Sequence, residues 1–297
     1  MEHNSIWKQG NAKITRNILI LTVLITGILI WLLGSFDVKT SHNQVTESEI
    51  LSPLLLAILR TIIAIGGFTT IAYVLTKGER DGNVYHTNSS KFEIIIMKGT
   101  HRLSTFTCWS FIGLSLTFTI LAISSWLKVF EFQIPHILLK SASILFPVIF
   151  ACSLLVTLVV TFILIPSANK RGDALDNWFK LPELIMHNAN LIVLMIELMI
   201  GNLVFDFRYL PLVVMFGIAY VIFAAIHENK TGVYYYSFLD PRTSKSAFIH
   251  VALLIAIISC FSIIFIVELA LNKWLIPTAL LLMMILPFIL YVRNPTK

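Results

Sequence analysis

Long apolar blocks constrain this chain more than any other feature of its sequence. They run over about residues 17–34, 54–76, 106–126, 143–166, 184–204, 209–226, 247–268 and 274–292, each bounded by charges, turn formers or both. At about 1.5 Å of rise per helical residue, each block is long enough to cross a hydrocarbon core of about 30 Å. Composition agrees: the chain is 57% hydrophobic and 13% charged, where a soluble domain carries roughly twice that share of charge. Such a chain has ample apolar surface to offset ordering, which excludes disorder as well. The reading is an all-α, polytopic transmembrane helical bundle of eight spans.

Basic residues set the orientation, because cytoplasmic loops collect Lys and Arg. With the N-terminus inside, the inner segments hold Lys8, Lys13 and Arg16; Lys77, Arg80, Lys91, Lys98 and Arg102; Lys170, Arg171 and Lys180; Lys230, Arg242 and Lys245; and Arg293 and Lys297. The outer segments hold only Lys39, Lys128, Lys140, Arg208 and Lys273. Both termini are therefore expected to be cytoplasmic. The first block follows basic residues as a signal peptide would, but it is long and no small-x-small cleavage site follows, so it reads as a retained helix. The longest polar stretch, Lys77 to Arg102, reads as a cytoplasmic loop with a short element at Phe92 to Met97.

The net charge of +6 has the same origin in the loops, and Lys170-Arg171 is its densest spot. No nucleic-acid partner is expected from so dispersed a charge. Cys108, Cys152 and Cys260 all lie inside apolar blocks without a CxxC spacing, which supports neither a disulfide framework nor a thiolate metal site. No Gly-rich phosphate loop, HExxH or GxSxG motif is present. The expected partner at this level is the bilayer itself, with no metal or diffusible cofactor.

Ionisable residues inside spans are costly, by about 2.5–3.5 kcal/mol at a helix centre, and each invites a functional question. Arg60, His187, Glu197 and His250 qualify. Pairing of Arg60 with Glu197, or with Glu268, would lower the burial cost of both partners. His187, Asn190 and Glu197 fall along one stripe of an ideal helix, although His187 and Glu197 are about 15 Å apart along its axis. With this topology Thr105, Thr107, His187, His227 and His250 lie at similar depth in the inner leaflet. A hydroxyl beside an imidazole is the minimal pair for nucleophilic acyl transfer, because the hydroxyl needs a base to take its proton. Thr105 and Thr107 are about 200° apart on a helix, so only one is expected to face a cavity.

Three stretches together carry a resemblance to known proteins. The first is Leu175-Asp176-Asn177 followed by His187 and Glu197. The second is Ala219-Tyr220 through Thr231-Gly232-Val233-Tyr234-Tyr235-Tyr236-Ser237-Phe238-Leu239-Asp240-Pro241. The third is Arg102-Leu103-Ser104-Thr105-Phe106-Thr107-Cys108-Trp109-Ser110. These stretches resemble the androgen-induced membrane protein family, which includes the androgen-dependent regulator of tissue-factor-pathway inhibitor; the Phe238-Leu239-Asp240-Pro241 ending and the third stretch are also similar to a bacterial family of predicted six-span membrane proteins. The resemblance covers about residues 54–268, a six-helix core. Residues 1–53 would add an N-terminus, the first span and an outer loop, and residues 269–297 the eighth span and a tail.

The resemblance implies an intramembrane threonine hydrolase of fatty acyl esters, such as fatty acid esters of hydroxy fatty acids. The family histidine maps onto His187, and the family threonine maps best onto Thr107, with Thr105 as second choice. Asn190, Glu197, His227, Tyr236 and His250 make up the expected substrate-binding set. Two positions depart from the family pattern: Phe111 follows Ser110 where the bacterial pattern often has Asn, and Glu228 stands where a family histidine would lie, one position from His227. The alternative is a non-catalytic multi-pass protein, either a transporter or a lipid-binding scaffold; no convincing internal repeat supports transport. Either way the chain is expected to be integral to a membrane, the cell membrane if the host is bacterial.

Overall fold

The computed structural model describes residues 10–87, 89 and 91–291. Lys8, Arg293 and Lys297, which contribute to the charge asymmetry, lie outside the described residues. The elements in chain order are α1 (Gly10–Leu33), α2 (His42–Thr46), α3 (Pro53–Thr76), β1 (Arg80–His86), β2 (Lys91–Met97), α4 (Phe106–Val129), α5 (His136–Arg171), α6 (Leu181–Ile200), α7 (Leu210–Thr231), β3 (Val233–Tyr234), α8 (Ser246–Lys273) and α9 (Leu275–Ile289).

Among the described residues, 7 helices are long and apolar enough to cross a membrane, and the chain is a multi-pass helical bundle. The eighth expected span is shorter than its sequence block. Helix α9 has 15 residues, about 22 Å of rise, which falls short of a full hydrocarbon core. Trp274 and the extended Leu290 bound it at either end.

Sequence chemistry sets the helix ends. Ser52 caps α3 with Pro53 in its first turn, and Thr105 caps α4 by accepting from the Cys108 amide. Gly172 and Gly232 terminate α5 and α7 at φ 79° and 71°, backbone angles at which a side chain is strained. Helix α5 is the enclosed centre of the bundle, with Phe146, Ile149 and Phe150 fully buried. Helix α1 is peripheral and turns Leu21, Leu24, Ile28 and Trp31 outward, as a lipid-facing helix does. Close crossings use small residues. A Cβ on Gly67 of α3 would collide with Ser115 of α4, and one on Gly113 of α4 with Ile149 of α5.

Several hydroxyls inside the bundle are satisfied within their own helix. Ser115, Thr117 and Ser124 donate to carbonyls one turn back on α4. Arg60 and Glu197 pair as the burial argument requires: Arg60 Nε and Nη2 donate to the two carboxylate oxygens at 3.2 and 2.5 Å, with both side chains almost fully enclosed. Arg60 Nη1 also donates to the Val45 carbonyl at 2.7 Å and to the Ser125 hydroxyl at 2.6 Å. Glu268 instead accepts from Asn272 at 2.7 Å.

The polar stretch after α3 is more structured than a loop. Strands β1 and β2 form an antiparallel hairpin in register from Arg80↔Met97 to His86↔Lys91, and β3 pairs with β1 at Tyr85↔Tyr234 to complete a sheet of order β2-β1-β3. The element expected at Phe92 to Met97 is thus one strand of a small sheet added to the helical bundle. Its end is fastened to α7: the Thr87 amide donates to the Gly232 carbonyl at 3.0 Å, and the Thr87 hydroxyl to Glu228 at 2.6 Å. Glu228, the departure beside His227, therefore holds the sheet against the bundle.

Candidate functional site

The hairpin roofs a polar cavity of about 1140 Å³. Its walls come from the starts of α4 (Thr105, Thr107 and Cys108) and α6 (Glu183, Met186 and His187), together with Trp178, Tyr235 and Tyr236. A second cavity of about 930 Å³ lies between α1, α5, α7 and α8 and is lined mainly by aliphatic side chains such as Leu155, Val159, Val214, Ile218, Leu254 and Ile257. Thr107 and Tyr236 line both cavities. A polar chamber and an apolar chamber therefore share the threonine and the tyrosine in their walls.

His187 sits in a π turn, Ile185–Ala189, inside α6. Such a turn hydrogen-bonds i to i+5 and frees backbone groups that an α-helix would use. The freed His187 carbonyl accepts from the Thr157 hydroxyl of α5 at 2.6 Å, and the Asn188 side chain bonds the Tyr291 backbone at 2.9 Å. The imidazole is 4% exposed, and its Nε2 is 3.9 Å from Glu183 Oε2, one turn earlier. Glu183 is held in turn by Arg80 Nη1 at 2.6 Å and by Arg102 Nη2. Arg80 also lies 3.9 Å over the Trp178 ring, a cation–π contact that fixes the guanidinium. The charged lining of the cavity is balanced, with Arg80, Arg102 and Arg171 against Asp81, Asp173 and Glu183.

The two threonines play different parts. Thr105 is the extended N-cap of α4, with φ −98° and ψ 145°, so the 200° separation expected within a helix does not apply and both threonines reach the polar cavity. The Thr105 hydroxyl is engaged, accepting from the Cys108 amide at 3.3 Å and donating to the Arg102 carbonyl at 3.2 Å. Thr107, 7% exposed, lies beside the Tyr236 hydroxyl. Burial pushes the Tyr236 hydroxyl above the ordinary tyrosine range, with the Thr107 contact offsetting part of the rise, so at neutral pH it is a proton-bearing donor.

Other expected site residues fall elsewhere. Asn190 is 1% exposed but lines neither cavity, and its Oδ1 accepts from the Leu191 amide at 2.7 Å. The π turn is the physical reason: its one extra residue rotates the remainder of α6 by about 100°, which takes Asn190 off the His187 face. Glu197, expected in the substrate-binding set, is committed to Arg60 and does not join His187. His227 is half-buried, with its ring against Phe223 and Tyr235, and lines neither of the two main cavities. His250 faces the apolar cavity and not the polar one.

Sequence reasoning missed Glu183, Arg80, Arg102 and Trp178. One signal was present: Glu183 precedes His187 by four residues, the spacing at which helical side chains meet. The arginines carried no such mark, because the fold brings them from the far end of the hairpin and from the turn before α4. Comparison of the chain with family models, curated proteins and solved structures finds no match.

Proposed function

We propose that this protein is an intramembrane hydrolase of lipid esters, as its resemblance to the androgen-induced family implies. The observation that carries this reading is that Thr107 and His187 line one polar cavity while Thr107 also borders an apolar one. An amphiphilic ester would rest its acyl chain in the apolar chamber and present its carbonyl at Thr107. The Thr107 hydroxyl attacks that carbonyl as its proton passes to His187. The tetrahedral oxyanion is stabilised by the Tyr236 hydroxyl. Collapse breaks the ester bond, the leaving alkoxide takes the proton from His187, and an acyl-threonine remains. Water then attacks the acyl carbon with His187 again as base, releasing the fatty acid and restoring Thr107. Glu183, fixed by two arginines, positions His187.

Release of fatty acid from a long-chain acyl ester by the purified protein tests this reading. Loss of turnover in both Thr107→Val and His187→Ala is the expected result, and undiminished turnover in either overturns the assignment of that residue.

A second reading keeps the cavities and drops the chemistry. Two π turns, Val160–Leu164 on α5 and Ile185–Ala189 on α6, flank the polar cavity. Interrupted helices at a binding site are a feature of transporters. Ligand binding without turnover in the wild-type protein favours this alternative.

A further inference from the structure

The apolar cavity contains one group that its aliphatic walls do not explain. His250, on the first turns of α8, lines it and is 6% exposed. Its Nε2 has no hydrogen-bond partner among the described residues. Leaving a buried polar nitrogen unpaired costs free energy that an apolar side chain would not.

The ring is held so that this nitrogen is an acceptor. His250 Nδ1 lies 2.9 Å from the Ser246 carbonyl, which can only accept, so the ring proton sits on Nδ1. The Ser246 hydroxyl is 3.3 Å from the same nitrogen and itself accepts from the Thr15 hydroxyl of α1 at 3.0 Å. With that proton assigned, Nε2 offers a lone pair in an apolar chamber. Its complement is a donor carried by an otherwise apolar molecule, which in a membrane means a hydroxyl. A carbonyl or ether oxygen would set one acceptor against another.

We propose that this cavity binds a lipid alcohol, its hydroxyl donating to His250 Nε2 and its hydrocarbon body running along α8. Ile257 lies seven residues further along the same helix, about 10 Å deeper, and Val214 and Gly217 of α7 line the same chamber. The hydroxyl therefore sits at the end where α4 and α8 begin, and the chain fills the part beyond. This inference goes beyond the hydrolase reading and needs no chemistry at Thr107.

The test is competition for radiolabelled octadecanol on the full-length protein in nanodiscs. Three pairs of competitors distinguish the source of the hydroxyl: octadecanol, dioleoylglycerol and cholesterol, each against its own methyl ether. In the wild type at least one alcohol should outcompete its ether by about tenfold, the scale of a single buried hydrogen bond. His250→Phe keeps a ring but no acceptor and should bring that ratio to about one, and His250→Gln, which restores an acceptor, should recover part of it. The preference is read from binding alone and needs no turnover, so failure of the hydrolase reading leaves this one standing. Equal competition by alcohol and ether in the wild type for all three pairs overturns the proposal, as does a preference undiminished in His250→Phe.

Discussion

Removing Glu197 while keeping Arg60 is the sharpest test of how the bundle tolerates charge. The guanidinium is 0% exposed and makes four hydrogen bonds, two of them to Glu197. In Glu197→Leu it keeps only Val45 and Ser125 and becomes an uncompensated buried cation. Breaking a buried pair from one side costs about 3–5 kcal/mol, and the two surviving bonds place this case near the lower end. At roughly 2–4 °C per kcal/mol, about 3 kcal/mol corresponds to a drop of about 6–12 °C in the melting midpoint. Arg60→Leu combined with Glu197→Leu removes both charges and should melt within about 1 kcal/mol of wild type. Thermal unfolding of the single and double variants in one detergent is the assay. If the double variant is as destabilised as Glu197→Leu, the cost lies in lost packing and the account of the ion pair is wrong.

Other consequences concern the site and the topology. Thr105→Val should lose about 1 kcal/mol of stability with its cap yet retain turnover, whereas Thr107→Val should melt like wild type and be inactive; melting curves and ester hydrolysis separate the two. Tyr236→Phe should lower kcat by about 10²–10³ with KM little changed, as removal of an oxyanion donor does; steady-state kinetics measures the split. Gly67→Leu should destabilise the protein by a few kcal/mol, read by thermal melting, because its side chain meets Ser115 at the α3–α4 crossing. The native cysteines are buried, so a cysteine introduced at the exposed Glu93 should label with an impermeant maleimide only from the cytoplasmic side, and one at Lys39 only from the outside.

The helices and the Arg60–Glu197 pair were legible in the sequence for one reason: a hydrocarbon solvent leaves few options for backbone or charge. A lone arginine within a span must find a carboxylate; Glu197 and Glu268 were both in reach, and the fold selects Glu197. Strand β1 was not legible, because Arg80-Asp81-Gly82-Asn83-Val84-Tyr85-His86 lacks apolar alternation and owes its form to pairing with β2 and β3. The site was half legible. Topology set Thr107 and His187 at similar depth as an expectation, and they line one cavity, but an ideal 3.6-residue period also placed Asn190 beside His187. The π turn at Ile185–Ala189 broke that period, and no residue in Ile-Met-His-Asn-Ala announces it. Glu183 reads as an ordinary acidic residue in the first turn of a helix. Its role comes from Arg80 and Arg102, which only the folded hairpin and the turn before α4 bring to it.

The central claim is that Thr107 is an activated nucleophile. Labelling of the purified protein by a fluorophosphonate probe, followed by mass spectrometry of the modified peptide, tests it most directly. The account predicts a single adduct on Thr107 that disappears in Thr107→Val and is strongly reduced in His187→Ala. An adduct on another residue, or none on a wild-type preparation that hydrolyses the ester, would contradict it.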